Sequence, residues 1–514
     1  MVDGRRKVAP VKCLATGALA MVGAHLVPHS SLNFLNVGGG REAHGVQMNQ
    51  GLGFQGTSAP AGAAVPFSSQ PFAAAGSAAI ACAAAAGVRR GARSSPVISF
   101  AEGSAEPPAK PKKVRISAFD SIRFFLIAYI VCGHFISFAA PSKFAFKAIT
   151  QINVVVGAFF ALSGYVAAYT TTENAERAPS PKLLSTPTPK WILQRVFGYW
   201  PLHLVVTLIF LPVFLYPDVL FNGWPTALWH GFLSLTMTQA WFPMHAEVWN
   251  APTWFLSALT FATAMLPFSL PVLAKQNKQQ LRRTAGFLFL VGLLPKLGYC
   301  YDHQAWGLLE GAMAPKAMPN LAIFNVQRFN PLYAVVEVLL GVVACRLVML
   351  DGAEGEEKAP KTNVLSTGLP LLGMIAVILL RAFGVLQLSD LLTRAIIFIP
   401  LFLSFLMAAH RASVLSKVTD PIVNILSSKP LVTLGNLAFP IFVVHGPLGQ
   451  LFYKKVVAAK IFGGPLHTLI GPQAFYIYLA TVMGAAWVLQ KTVLMNKQVG
   501  NMSKEAVEKI SASL

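Results

Sequence analysis

Two residues within one apolar run have the chemistry of a catalytic pair. In FDSIRFFLIAYIVCGHFISF, residues 119 to 138, Arg123 presents a planar fork of donors suited to phosphate oxygens, and His134 is an imidazole that titrates near neutral pH. Eleven helical steps turn through about 1100°, about 20° past three full turns, so the two side chains share a face about 16 Å apart along the axis. Asp120, three residues before Arg123 on that face, is placed to hold the guanidinium. An arginine near a helix end can snorkel to the interface, but a histidine deep in the bilayer must face the bundle interior and find a partner. Together they describe a track with an anion site at one end and a base farther in. An acyl-CoA suits such a track, its phosphates at the basic end and its thioester carried inward to a base beside an acceptor hydroxyl.

The elements that must position these residues are membrane helices. Of 514 residues, 54% are hydrophobic and only 12% charged, about half the charge of a soluble chain. Apolar runs near 116–139, 152–171, 199–216, 254–274, 285–301, 331–350, 364–386, 394–410, 430–452 and 473–494 predict an all-α, polytopic bundle of about ten transmembrane helices. An eleventh run, 227–242, is flanked by Trp and His and reads as interfacial. With ten spans, KPKKVR, 177–195, KQNKQQLRR at 275–283, 354–361, 411–417 and the tail fall on one side, as the positive-inside rule requires. Lys143 with Lys147, and Lys454 with Lys455, break that pattern. The net charge of +21 is thus explained by topology-setting loops against anionic headgroups rather than by nucleic acid. The five cysteines show no CxxC or paired Cys/His spacing, so neither a disulfide framework nor a metal site is indicated, and no tightly bound cofactor is implied.

Residues 1–115 read as a targeting leader with a disordered linker, 116–494 as the membrane domain, and 495–514 as a C-terminal tail. The leader holds 12 Lys and Arg against Asp3, Glu42, Glu102 and Glu106. Its order of basic residues, short apolar run, acid-poor stretch and Ala-rich second run resembles the leaders that carry proteins to algal secondary plastids. The expected location is therefore an integral multi-pass protein of a plastid or endomembrane.

Five segments in register resemble the acyltransferase family 3 integral membrane enzymes: FDSIRFFLIAYIVCGHF, GAFFALSGYVAAY at 157–169, LQRVFGYWPLHLV at 193–205, NAPTWFLSAL at 250–259 and LVTLGNLAFPIFVVHGPL at 431–448. The resemblance implies an O-acyltransferase that moves an acyl group from acyl-CoA to a hydroxyl of a carbohydrate or lipid-linked acceptor. His134 would be the general base, with Arg123 and Asp120 at the donor end and Arg195 on CoA phosphates. Trp254, Asn250 and His445 would contact substrate. In two places the chain departs from the family pattern. Gly198 stands where a second arginine is frequent, and Leu259 where a glutamate is, so that Arg115 and Lys190 would share donor binding.

Glu337 lies mid-span, where a carboxylate is a functional candidate, and it is added to the substrate-contacting set. Arg381 and Arg394 lie near span ends and are expected to snorkel. Ser163 with Gly164 reads as a close helix crossing rather than a nucleophile turn. The region 217–253, with Trp224, Trp229, Trp241, Trp249, His230, His245 and Glu247, could cap an acceptor entrance. Two other functions remain compatible with the residues: a solute or lipid transporter using the Arg/His track, and a catalytically degenerate family member.

Overall fold

The computed structural model describes residues 114–172, 188–313, 317–353, 363–415 and 420–513. Most of the leader, and with it the expected targeting signals, lies outside the described residues. Among the described residues every regular element is helical. In chain order they are α1 Ala118–Phe135, α2 Lys143–Ile149, α3 Ile152–Thr171, α4 Thr188–Val196, α5 Trp200–Ile209, α6 Leu211–Thr236, α7 Trp254–Ala274, α8 Lys278–Asp302, α9 Leu321–Phe329, α10 Pro331–Ala353 and α11 Val364–Ala382. Then follow α12 Asp390–Leu415, which includes two π turns, α13 Pro421–Leu426, α14 Lys429–Asn436, α15 Ala438–Tyr453, α16 Lys455–Phe462, α17 Leu466–Ile470, α18 Gln473–Leu489 and α19 Lys497–Ser513.

Nine helical segments among the described residues are long and apolar enough to cross a membrane, and α14 with α15, bent by 49°, makes a tenth. The expected all-α polytopic bundle is what the chain forms. Two boundaries differ from the sequence reading. The third span begins at Thr188 and ends at Ile209, because α4 and α5 run on as one segment through Phe197–Tyr199. The 227–242 run is largely the second half of α6, which breaks at Gly223, a glycine at φ 77° between Pro217 and Pro225. The left-handed backbone there is open to glycine without the Cβ clash other residues meet. The tail is also structured: α19 packs on α4, with Lys190 Nζ 2.5 Å from Glu508 Oε1.

Helix starts follow their capping residues. Asn277 and Gln280 form a reciprocal capping box at α8, Asn363 and Ser366 do so at α11, and Asp420 accepts from two backbone N–H groups of α13. The core is centred on the crossing of α3 and α10. Gly164 lies against the Val338 carbonyl and Gly341 against the Ala161 carbonyl, so closely that a Cβ at either would collide with backbone. This is the close approach expected at Ser163–Gly164, and the Ser163 hydroxyl simply donates to Phe159 O at 2.7 Å within its own helix.

Arg381 and Arg394 do not snorkel. Arg394 pairs with both oxygens of Glu337, with Nε 2.8 Å from Oε1, and Arg381 pairs with Asp390 while donating to Gln151 Oε1 at 2.6 Å. Position along the sequence gives depth but not azimuth: both arginines point inward, where a carboxylate on another turn or helix neutralises them more completely than headgroups would.

Candidate active site

The bundle encloses a cavity of about 1200 Å³ whose walls come from α1, α3, the 197–199 turn, α7, α9, α15 and the 454–468 segment. On α15 the lining residues Phe439, Phe442, Gly446, Gly449, Gln450 and Tyr453 recur at helical spacing, so one stripe of this helix forms a wall. Arg123 and His134 both line it, as their shared face on α1 requires. The apolar middle section includes Leu162, Leu259 and Phe255, and Gly198 borders it as well. Both positions that depart from the family pattern, Gly198 and Leu259, therefore open onto the same space.

At the basic-loop end, Asp120 is held between two arginines. Arg123 Nη1 donates to Oδ1 at 2.8 Å, while Arg115 Nε and Nη2 approach Oδ2 at 3.0 and 2.8 Å. Arg115 also donates to Asn436 Oδ1 at 3.4 Å, tying the start of α1 to α14. Asp120 thus orients Arg123, as expected from its spacing. Arg195 and Lys190 do not reach the cavity wall. The Arg195 guanidinium lies 3.4 Å from the centre of the Trp191 ring, and Lys190 is bound to Glu508. Arg115, Arg195 and Lys190 are not among the residues that line the cavity.

The inner histidine has a partner the sequence could not name. His134 Nδ1 is 3.1 Å from His445 Nε2, with the rings inclined by only 12°. On its other side His445 Nδ1 lies 2.8 Å from Phe442 O and 3.2 Å from Ile441 O. Carbonyl oxygens only accept, so His445 carries its proton on Nδ1. For two neutral rings, His445 Nε2 must then accept, His134 Nδ1 must donate, and His134 Nε2 keeps its lone pair. His445 is fully buried and is not among the residues that line the cavity, whereas its partner His134 is.

The remaining expected contacts divide. Trp254 lines the cavity, braced edge-on by Phe329 with centroids 4.8 Å apart. Asn250 does not; its Nδ2 donates to Val443 O at 2.9 Å and packs the α7 entry onto α15 beside Gly446. Glu337 is likewise not among the lining residues and is engaged with Arg394. A mid-span carboxylate signals a buried charge, and here an arginine 57 residues away accounts for it.

Beyond His134, toward the face opposite the basic loops, lies a polar mouth that sequence reasoning largely missed. Arg328 lines it, with Nη2 3.2 Å from Glu247 Oε1 and Nη1 2.8 Å from Glu310 Oε1, its guanidinium 4.2 Å over the Phe329 ring. Glu310 accepts in turn from Asn153, another lining residue. Burial raises the Glu310 carboxyl to about 8, more than the opposing Arg328 charge can prevent. The only sequence signal was an arginine at the start of a span on the less basic side. The 217–253 region stands beside this mouth as a braced unit. The Asp218 carboxylate accepts from His230 Nδ1 at 2.9 Å, Trp249 Nε1 at 2.8 Å and Asn222 Nδ2 at 2.7 Å, and His230 Nε2 meets His245 Nδ1 at 3.0 Å. Burial alone would raise Asp218, but these donors outweigh it and hold the carboxyl below its usual value.

Nine or ten apolar crossings among the described residues, around a cavity with a paired histidine beside it, define a polytopic membrane protein with an internal cavity. The family model described as an acyltransferase domain matches residues 116–491, and the chain belongs to acyltransferase family 3. It is a membrane acyltransferase. No curated protein and no solved structure gives a significant match to the chain.

Proposed function

We propose that the protein transfers an acyl group from acyl-CoA to a hydroxyl of a carbohydrate or lipid-linked acceptor. The donor enters from the basic-loop face with its phosphates near Arg123 and Arg115, and the acceptor comes from the opposite mouth. The observation that carries this reading is one continuous cavity with Arg123 at one end and, farther in, a histidine whose Nε2 is left as a base by its bond to His445.

The acceptor hydroxyl attacks the thioester carbonyl while His134 Nε2 takes its proton. The tetrahedral intermediate collapses by breaking the C–S bond, and the departing CoA thiolate takes the proton from the His134 imidazolium, which restores the neutral ring. A thiolate leaves readily because thiols are acidic, so the base matters most in the first step. Lys190 would join the donor site only by leaving Glu508 of α19, and Arg195 only by leaving the Trp191 ring. The leader composition favours a plastid or endomembrane address.

The test is turnover of labelled acetyl-CoA and longer acyl-CoAs by purified protein beside His134→Ala with a pool of acceptors. Transfer of label to a covalent product by the wild type, lost in the variant, is the expected outcome. Intact solute movement in liposomes without any covalent product would replace the enzyme with a transporter.

A further inference from the structure

Four lysines break the charge rule by lying on the face opposite the basic loops, and the structure separates them. Lys143 and Lys147, on α2, are exposed and do not line the cavity, as lysines touching lipid headgroups would be. Lys454 and Lys455, where α15 ends and α16 begins, both line it, together with His467 and Thr468. Lys454 is half-buried within electrostatic reach of Asp218, and Lys455 is exposed at the lip. Lys454 follows Gly446 by eight residues, a rise of about 12 Å along the cavity wall from the turn that carries His445. Glu247 and Arg328, an ion pair with both acceptors and donors for hydroxyl groups, line the same cavity.

We propose that this mouth is an acceptor site for a phosphate-bearing polyol. Lys455 and Lys454 meet the phosphate, the Glu247–Arg328 pair hydrogen-bonds hydroxyls deeper in, and one hydroxyl reaches His134 Nε2. Phosphate is favoured because its oxygens point in several directions and can engage two adjacent ammonium groups at once. The inference rests on the acyltransferase reading and narrows its acceptor. The same chemistry is offered by a soluble sugar phosphate and by a sugar phosphate carried on a membrane lipid.

The test measures binding to full-length protein in discs of neutral phosphatidylcholine. The probes are glucose, glucose 1-phosphate, and polyprenyl-phosphoglucose placed in the disc, each with wild type, Lys455→Gln and the Lys454→Gln/Lys455→Gln double variant. At least one phosphorylated probe should bind about tenfold or more tighter than glucose, and Lys455→Gln should lower its affinity about tenfold, the worth of one charge-assisted hydrogen bond. Binding of glucose 1-phosphate identifies a soluble acceptor, and binding of only the lipid form identifies a carrier-linked one. Equal binding of glucose and both phosphorylated probes, or an affinity unchanged by Lys455→Gln, overturns the proposal. Because Lys455 is exposed, its variant tests the site without disturbing packing. Acyl-CoA binding is measured in parallel. Phosphate-dependent binding through the lysines without any acyl-CoA binding would sink the acyltransferase reading and leave the site standing, while the reverse result removes the site alone.

Discussion

His445→Leu should slow acyl transfer while leaving donor binding intact. In the native protein the His134 Nδ1 proton is held by His445 Nε2 at 3.1 Å, and the His445 tautomer is fixed by the carbonyl of Phe442 at 2.8 Å. Leucine removes the acceptor and leaves a donor in a largely apolar wall, a loss of about 1–3 kcal/mol for the reactive tautomer. The ring can relieve that cost by moving its proton to Nε2, which is the form that cannot accept from the acceptor hydroxyl. The expected fall in kcat is thus about 10- to 100-fold, with the KM for acyl-CoA little changed because Arg123 lies about 16 Å away. His445→Gln, whose side-chain oxygen can stand near the lost nitrogen, should recover most of the rate. Initial rates across a series of donor concentrations separate kcat from KM. A His445→Leu enzyme with wild-type kcat, or a His445→Gln enzyme no better than the leucine variant, would refute the tautomer argument.

Two other perturbations follow from the same geometry. Glu337→Ala should strand Arg394 within the bundle and destabilise the protein by about 3–5 kcal/mol, read as a lower thermal midpoint in detergent, whereas the paired replacement Glu337→Leu/Arg394→Met should recover much of that loss. The Glu310 carboxyl is raised in the folded protein, to about 8 from its ordinary 4.5, so the folded state binds the extra proton between those values. The Glu310 contribution to stability should therefore be fully present below about pH 4.5, decline as pH rises from there to about 8 and level off above, by a few kcal/mol at most. Glu310→Gln, which mimics the protonated carboxyl, should flatten that decline in thermal melts taken across pH, and an unchanged slope would remove Glu310 as its source.

How much was legible depended on whether a property is local. The number of crossings, the shared face of Arg123 and His134, the Asp120 brace and the close approach at Gly164 all follow from helix periodicity and residue size within a single segment. The fates of Arg381 and Arg394 did not, because hydropathy places a residue in depth and says nothing of the direction it faces. Glu337 stood out as a mid-span carboxylate, but its pairing with Arg394 was not legible for the same reason. The 217–253 region was recognisable as polar and aromatic, but its bracing by Asp218 depends on His230 and Trp249 converging through a kink at Gly223.

By itself the sequence determined that this chain is a polytopic helical membrane protein carrying an arginine and a histidine on one inward face, since apolar run length and a period of 3.6 residues leave little freedom in a bilayer. Tertiary structure decided which nitrogen of His134 keeps its lone pair, because that depends on a histidine 311 residues away. It also decided that Glu247 and Arg328 share the cavity with Lys454 and Lys455. Ion pairs and hydrogen bonds between helices form wherever packing brings two polar groups together away from water, and that proximity is not encoded in either segment alone.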